Sequence, residues 1–177
     1  MGRRRNQRGI QTTAHVSRIV CNAGPLIALG ILGKLELLQS LFDEVLVPDA
    51  VQREIVQGGV RLAGLESFQR AQWIRVVPPK QNDALLAALL DAGEAAVIAL
   101  AREQNIPVVL IDERKARKVA RDVYGLQPVG TVRILIEAKK KMLLTEIKPS
   151  LEALRREGYW IHEDIVRAAL REAGEIK

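Results

Sequence analysis

Residues 106–124 read Ile106-Pro-Val-Val-Leu-Ile-Asp112-Glu-Arg-Lys-Ala-Arg117-Lys-Val-Ala-Arg121-Asp-Val-Tyr124. The aliphatic, largely β-branched run Ile106–Ile111 has the composition of a strand buried on both faces. Asp112–Tyr124 then changes period and composition, and reads as a basic helix. The alanine-rich segment Asp91–Gln104 ahead of it is a second helix. A strand enclosed by helices on both sides in sequence is the signature of a parallel sheet built from crossover units.

The same alternation continues outward. Arg18–Asn22 is a short strand ending in a turn-forming residue, and Ala23–Lys34 is a helix with Pro25 in its first turn, where a missing N–H costs little. Leu35–Phe42 continues it. Glu44–Val47 is a strand closed by Pro48, and Asp49 caps a helix that Gly58-Gly59 stops near Gln57. Residues 62–72 are helical, Trp73–Val77 is a strand, and residues 84–90 are too short to assign. Beyond the central unit, Pro128-Val-Gly130 is a strand end, followed by helices at Thr131–Lys141, Glu146–Glu157 and His162–Ala173. The expected architecture is a three-layer α/β/α sandwich around a mostly parallel sheet, with a helical C-terminal extension. Residues 17–177 form one domain, and residues 1–16 a flexible basic tail.

Composition narrows the function. Of 177 residues, 48% are hydrophobic but only 3% aromatic, so the core is aliphatic, and the scarcity of rings argues against a single-strand binder that works by stacking bases on aromatic side chains. Trp73, Trp160, Tyr124 and Tyr159 read as core or interface anchors. A single cysteine, Cys21, rules out an internal disulfide and reads as a small core residue. Two histidines, His15 and His162, leave little for a His-based metal centre. Arg3, Arg4, Arg5 and Arg8 carry four of the six net positive charges, so the rest of the chain is only mildly basic. The tail is either a phosphate-binding arm or an extension without a role. Arg3–Arg5 ahead of Ile19–Leu32 resembles an export signal superficially. However, Arg18, Asn22 and Pro25 interrupt the run and no small-residue cleavage site follows. No segment has the uninterrupted apolar length of a membrane helix. A cytoplasmic protein is expected.

In a parallel α/β sheet, residues that end a strand or open the next helix share the carboxyl-terminal rim, where ligands bind. Asn22 ends the first strand and Asp112 the strand at 106–111; Glu94 and Glu54 lie early in helices that follow. Each also has a purely structural reading. Asp112 can cap the basic helix, Asp91 and Glu94 have capping-box spacing, Glu54 beside Arg53 can be solvated, and Asn22 can be a turn residue. Against this, Glu94 aligns with Ile98 and Ala101 on one helix face, where a carboxylate needs a counter-charge. If the four converge, three carboxylates and an amide oxygen form a hard donor set suited to Mg²⁺ or Mn²⁺. A divalent ion there would serve phosphodiester hydrolysis. Arg114, Lys118 and Arg121 share one face of the basic helix, and can hold RNA phosphates or simply be solvated. Lys139–Lys141, at a helix C-terminus, complement its dipole. A phospho-acceptor receiver domain also carries rim acids, but it needs a paired acid where Cys21-Asn22 stands.

Four blocks in order carry a resemblance: Ile19-Val-Cys-Asn-Ala-Gly-Pro-Leu-Ile-Ala-Leu29, Val47-Pro-Asp-Ala-Val-Gln-Arg-Glu54, Gly93-Glu-Ala-Ala-Val-Ile-Ala-Leu-Ala101 and Val109-Leu-Ile-Asp-Glu-Arg-Lys-Ala-Arg117. Together they resemble the PIN domain over about residues 18–174, and are similar to its prokaryotic, VapC-toxin-like nuclease branch. The resemblance implies an α/β/α sandwich and a Mg²⁺- or Mn²⁺-dependent ribonuclease. It also implies pairing into homodimers and, in many relatives, inhibition by an antitoxin protein. The family's acidic quartet falls on Asn22, Glu54, Glu94 and Asp112. Asn22 departs from the usual Asp and removes one negative charge, which implies weaker metal binding and lower activity. The alternative is a weakened or inactive member that binds RNA or a protein partner.

Overall fold

A computed structural model describes residues 17–57, 62–81 and 83–177. The tail at 1–16 and the glycine stop at 58–59 lie outside the described residues. Five strands, β1 (Arg18–Cys21), β2 (Glu44–Val47), β3 (Arg75–Val76), β4 (Val108–Leu110) and β5 (Gln127–Val129), form one sheet in the order β3-β2-β1-β4-β5. Every pairing is parallel, with Val20 opposite Leu46 on one side and Cys21 opposite Leu110 on the other.

The helices among the described residues are α1 (Ala23–Ile31), α2 (Glu36–Leu41), α3 (Asp49–Gln57), α4 (Leu62–Arg70), α5 (Ala84–Leu89), α6 (Ala92–Glu103), α7 (Arg114–Asp122), α8 (Thr131–Lys140), α9 (Lys148–Arg156) and α10 (Glu163–Glu172). They flank the sheet as an α/β/α sandwich. Helix α6 packs on β1 and β4 and supports α3 and α5; α8 packs on α1, α2 and α10.

The central strand β1 is covered on both faces, which is why Ile19, Val20 and Cys21 are all apolar and fully buried. Burial pushes the Cys21 thiol far above its ordinary pKa, so it is an inert core residue. Edges are managed differently. Strand β3 has only two residues, both exposed, and β5 carries Pro128, which removes a donor on an edge strand. Where α1 crosses α4, a Cβ on Gly30 would sit 2.9 Å from Gly64 Cα, so the helices approach at a distance only glycines allow.

Several boundaries differ from the sequence expectation for local reasons. The helix from Ala23 does not run on to Phe42. Gly33 adopts φ +62 and donates to Gly30 O, while Lys34 donates to Leu29 O, the paired bonds of a Schellman stop. Helix α7 is capped by Glu113, whose carboxylate accepts from Ala116 N at 2.8 Å, and not by Asp112. Residues 84–89 are a helix, because Asp83 accepts from both Leu85 N and Leu86 N and Leu86 is buried. The strand expected over Trp73–Val77 contracts to Arg75–Val76. Trp160 is 80% exposed and anchors no core.

Candidate active site

The chain leaves β1 for β2 on one side and leaves β4 for β5 on the other, so the carboxyl ends of β1 and β4 bound the topological switch point. Parallel pairing carries past the strand ends, since Asn22 N donates to Leu110 O at 3.0 Å. Asn22 and Asp112 therefore leave adjacent strands at one rim.

Asn22 is the N-cap residue of α1 but makes no side-chain cap bond. Its Oδ1 is buried and has no hydrogen-bond partner. Buried polar atoms are almost always paired, so an orphaned acceptor calls for an electropositive partner. Around Gly93 in the first turn of α6 other oxygens gather on the same spot. A Cβ placed on Gly93 would lie 2.7 Å from Glu54 Oε2, 3.3 Å from Asn22 Oδ1 and 3.5 Å from Asp91 Oδ1. Glycine here leaves open the space into which these oxygens reach. Glu54 reaches the spot although its residue is exposed, while neighbouring Arg53 pairs with Asp49.

Glu94 is held from two sides. The capping box forms, with Asp91 Oδ1 accepting from Glu94 N at 2.8 Å and Glu94 Oε2 accepting from Asp91 N at 3.4 Å. The side chain also lies on the buried stripe of Ile98 and Ala101 and is itself buried. Burial, followed by the negative charge of Asp91, pushes its carboxyl up to about 7; Glu113 and Glu54 add to this. Burial and Asp91 also raise Glu54. Four carboxylates thus press on one another beside an unpaired amide oxygen, and a divalent cation would relieve that repulsion. Asn22, Glu54 and Glu94 are all hard oxygen donors and fit Mg²⁺ or Mn²⁺. Among the described residues no three His, Cys, Asp or Glu side chains are grouped closely enough to share an ion.

Asp112 occupies the other half of the rim and has different company. Its Oδ1 accepts from Thr131 N at 2.7 Å, and its Oδ2 accepts from Thr131 Oγ1 at 2.5 Å and from the Tyr159 hydroxyl. A Cβ on Gly130 would meet Asp112 Oδ1 at 2.8 Å and Arg117 Nη1 at 3.0 Å. The two halves are joined through Gly24, two residues beyond Asn22, whose added Cβ would lie 3.7 Å from the Tyr159 oxygen. Asn22 and Asp112 thus leave adjacent strands at this rim, and Glu94 follows Gly93 on the Asn22 side of it. Asp112 is committed to α8 and to the α9–α10 connection, while Asn22, Glu54 and Asp91 meet at Gly93.

The family model for the PIN domain matches residues 18–175, nearly the whole chain. The chain belongs to the PIN domain family. Comparison with curated proteins and comparison with solved structures each return no match. A PIN domain is a nuclease fold whose members generally use divalent metals, and the donors gathered at Gly93 have the chemistry for one.

In this PIN domain Arg114, Lys118 and Arg121 are exposed on α7, which begins two residues after Asp112. Arg114 and Lys118 make no ion pair among the described residues, whereas Arg121 pairs with Asp122. Lys139 and Lys140 are bound to Glu175, Glu137 and Glu172 and serve the C-terminal packing. Among the described residues no helix is long and apolar enough to cross a membrane.

Sequence reasoning missed Gly93, Thr131, Tyr159 and Glu113 as parts of this site. Gly93 had a signal, a glycine inside an otherwise alanine-rich helix, which marks a close approach. Tyr159 had none: it reaches Asp112 from 47 residues away.

Proposed function

We propose that this PIN domain, spanning residues 17–177, is a Mg²⁺- or Mn²⁺-dependent endoribonuclease that hydrolyses RNA phosphodiester bonds at the β1/β4 rim. The orphaned Asn22 Oδ1 among the oxygens crowding Gly93 is the observation that carries this reading. Asn22, Glu54 and Glu94 would hold the ion, and Asp112 completes the acidic wall opposite. The bound ion would supply charge neutralisation at the phosphate and a water of lowered pKa. In the metal-free protein burial and Asp91 raise the Glu94 carboxyl, and a bound ion would hold it as the carboxylate. Thr131 and Tyr159 hold the Asp112 carboxylate in one orientation, so its charge is placed before substrate arrives. Arg114, Lys118 and Arg121 bind RNA phosphates without reading sequence. The toxin-like branch, with a cytoplasmic homodimer restrained by an antitoxin protein, is the setting in which such an activity would be controlled.

A second reading rests on Asn22 itself. An amide oxygen brings no charge, so the ion would be held less tightly than by an aspartate, and the domain would bind RNA or a protein partner with little or no cleavage.

Labelled RNA incubated with purified protein in Mn²⁺ or in EDTA separates the two. The nuclease reading expects metal-dependent cleavage that Glu94→Gln and Asp112→Asn abolish. Binding without cleavage supports the second reading, and cleavage surviving both substitutions refutes the site.

A further inference from the structure

The short connection between α9 and α10 has features that packing alone does not explain. Gly158 adopts φ +81 and donates to Arg155 O, while Tyr159 N donates to Leu154 O, so the end of α9 is closed by a Schellman pair. The Tyr159 hydroxyl is bound to Asp112. Ile161 is buried, and His162 caps α10 by accepting from Asp164 N. Every residue of this connection is tied down at its side chain or backbone, yet Trp160 stands 80% exposed. Its indole is braced edge-to-face against His162, with centroids 5.7 Å apart. A large aromatic left in water on a fixed backbone, with one edge contact, forfeits burial and has lost part of its freedom, which favours binding a flat ligand.

Position supplies the ligand class. Trp160 follows directly on Tyr159, whose hydroxyl touches Asp112, so the two Cα atoms are about 3.8 Å apart. Two residues after Asp112 in the chain, α7 begins, with Arg114 and Lys118 exposed. Asp112 thus links a basic helix and the connection that carries the indole. We propose that Trp160 is a stacking subsite for an unpaired nucleobase of single-stranded RNA, next to the phosphodiester at the rim. This rests on the nuclease reading of the same site. Composition argues against a binder that works by stacking; the exposed Trp160 revises that expectation only to a single clamp on a strand held mainly by phosphate contacts.

The test measures binding of a fluorescein-labelled single-stranded RNA dodecamer to the full chain in EDTA, where metal-dependent turnover is absent. Trp160→Ala is expected to weaken binding about tenfold, and Trp160→Phe to restore most of it. The dependence of affinity on salt should not change, because no phosphate contact is removed. A dodecamer abasic at every position should bind wild type and Trp160→Ala equally. Wild-type affinity in Trp160→Ala, or no measurable binding by wild type, overturns the subsite. So does a Trp160→Ala protein that binds RNA normally but sediments as a smaller species, which would place the indole against a second copy of the chain. Cleavage in Mn²⁺ is assayed separately. Cleavage with a neutral Trp160→Ala removes the subsite alone, while Trp160-dependent binding without cleavage removes the nuclease reading and leaves the subsite.

Discussion

Replacing Gly93 with alanine should separate stability from metal binding. Gly93 lies in the first turn of α6 in a conformation open to any residue, so alanine gains helix propensity of at most about 1 kcal/mol. The new methyl carbon would sit 2.7 Å from Glu54 Oε2 and 3.3 Å from Asn22 Oδ1. The Glu54 carboxylate ends a flexible side chain on an exposed residue, so it can swing into water and in doing so leaves the repelling charges of Asp91 and Glu94. Asn22 need give only slightly. The net expectation in EDTA is unchanged stability or a gain of up to about 1 kcal/mol, seen as a rise in Tm of about 2–4 °C at most. Metal binding moves the other way, because the methyl group occupies the space where the oxygens meet. Mn²⁺ affinity measured by calorimetry should fall at least about tenfold, as when a residue supporting a metal centre is lost. Undiminished Mn²⁺ affinity would show that the ion binds elsewhere. A loss of more than about 2 kcal/mol in EDTA would show that the Glu54 carboxylate cannot yield, contrary to its exposure.

Other perturbations follow from the same contacts. Glu94 ionises near 7 in the folded protein against an ordinary 4.5, so the folded state holds its proton more tightly than the unfolded chain. Metal-free protein should therefore lose about 3 kcal/mol through Glu94 as pH rises from about 4.5 to 7, and Glu94→Gln should remove most of that slope in urea unfolding from pH 4 to pH 8, leaving the smaller part due to Glu54. Asn22→Asp should tighten Mn²⁺ binding in calorimetry yet lower stability in EDTA, because it adds a buried charge beside Glu54 and Asp91. Tyr159→Phe removes one charge-assisted bond to Asp112 and should cost about 1–3 kcal/mol in chemical denaturation. Replacing Arg114, Lys118 and Arg121 together with alanine should weaken RNA binding at every sequence. It should also reduce the logarithmic salt slope by about 2 if all three meet phosphates.

The legible parts of the fold were those with a local cause. Ile106–Ile111 and Ile19–Cys21 read as strands because central parallel strands bury both faces and admit little but aliphatic residues. The Asp91–Glu94 capping box was readable for the same kind of reason: its two partners are three residues apart. The errors were also local but finer. Gly33 stops a helix that hydrophobicity alone carries onward, and Glu113 outcompetes Asp112 as a cap because Asp112 is drawn to Thr131 and Tyr159. Trp160, which reads as a core or interface anchor, is exposed between the anchored Tyr159 and the buried Ile161.

From the order of residues alone came the alternation of strands and helices, the aliphatic core, and the expectation that residues ending the first and fourth strands, Asn22 and Asp112, share a rim. Those properties depend on period, composition and connection chirality, all of which are short-range or topological. What distance in space alone could decide is the division of that rim: an unpaired amide oxygen meeting Glu54 and Asp91 over Gly93, and Asp112 bound by a threonine and a tyrosine from later helices. Such partnerships turn on differences of an ångström between side chains from remote segments, and nothing in the linear pattern encodes them.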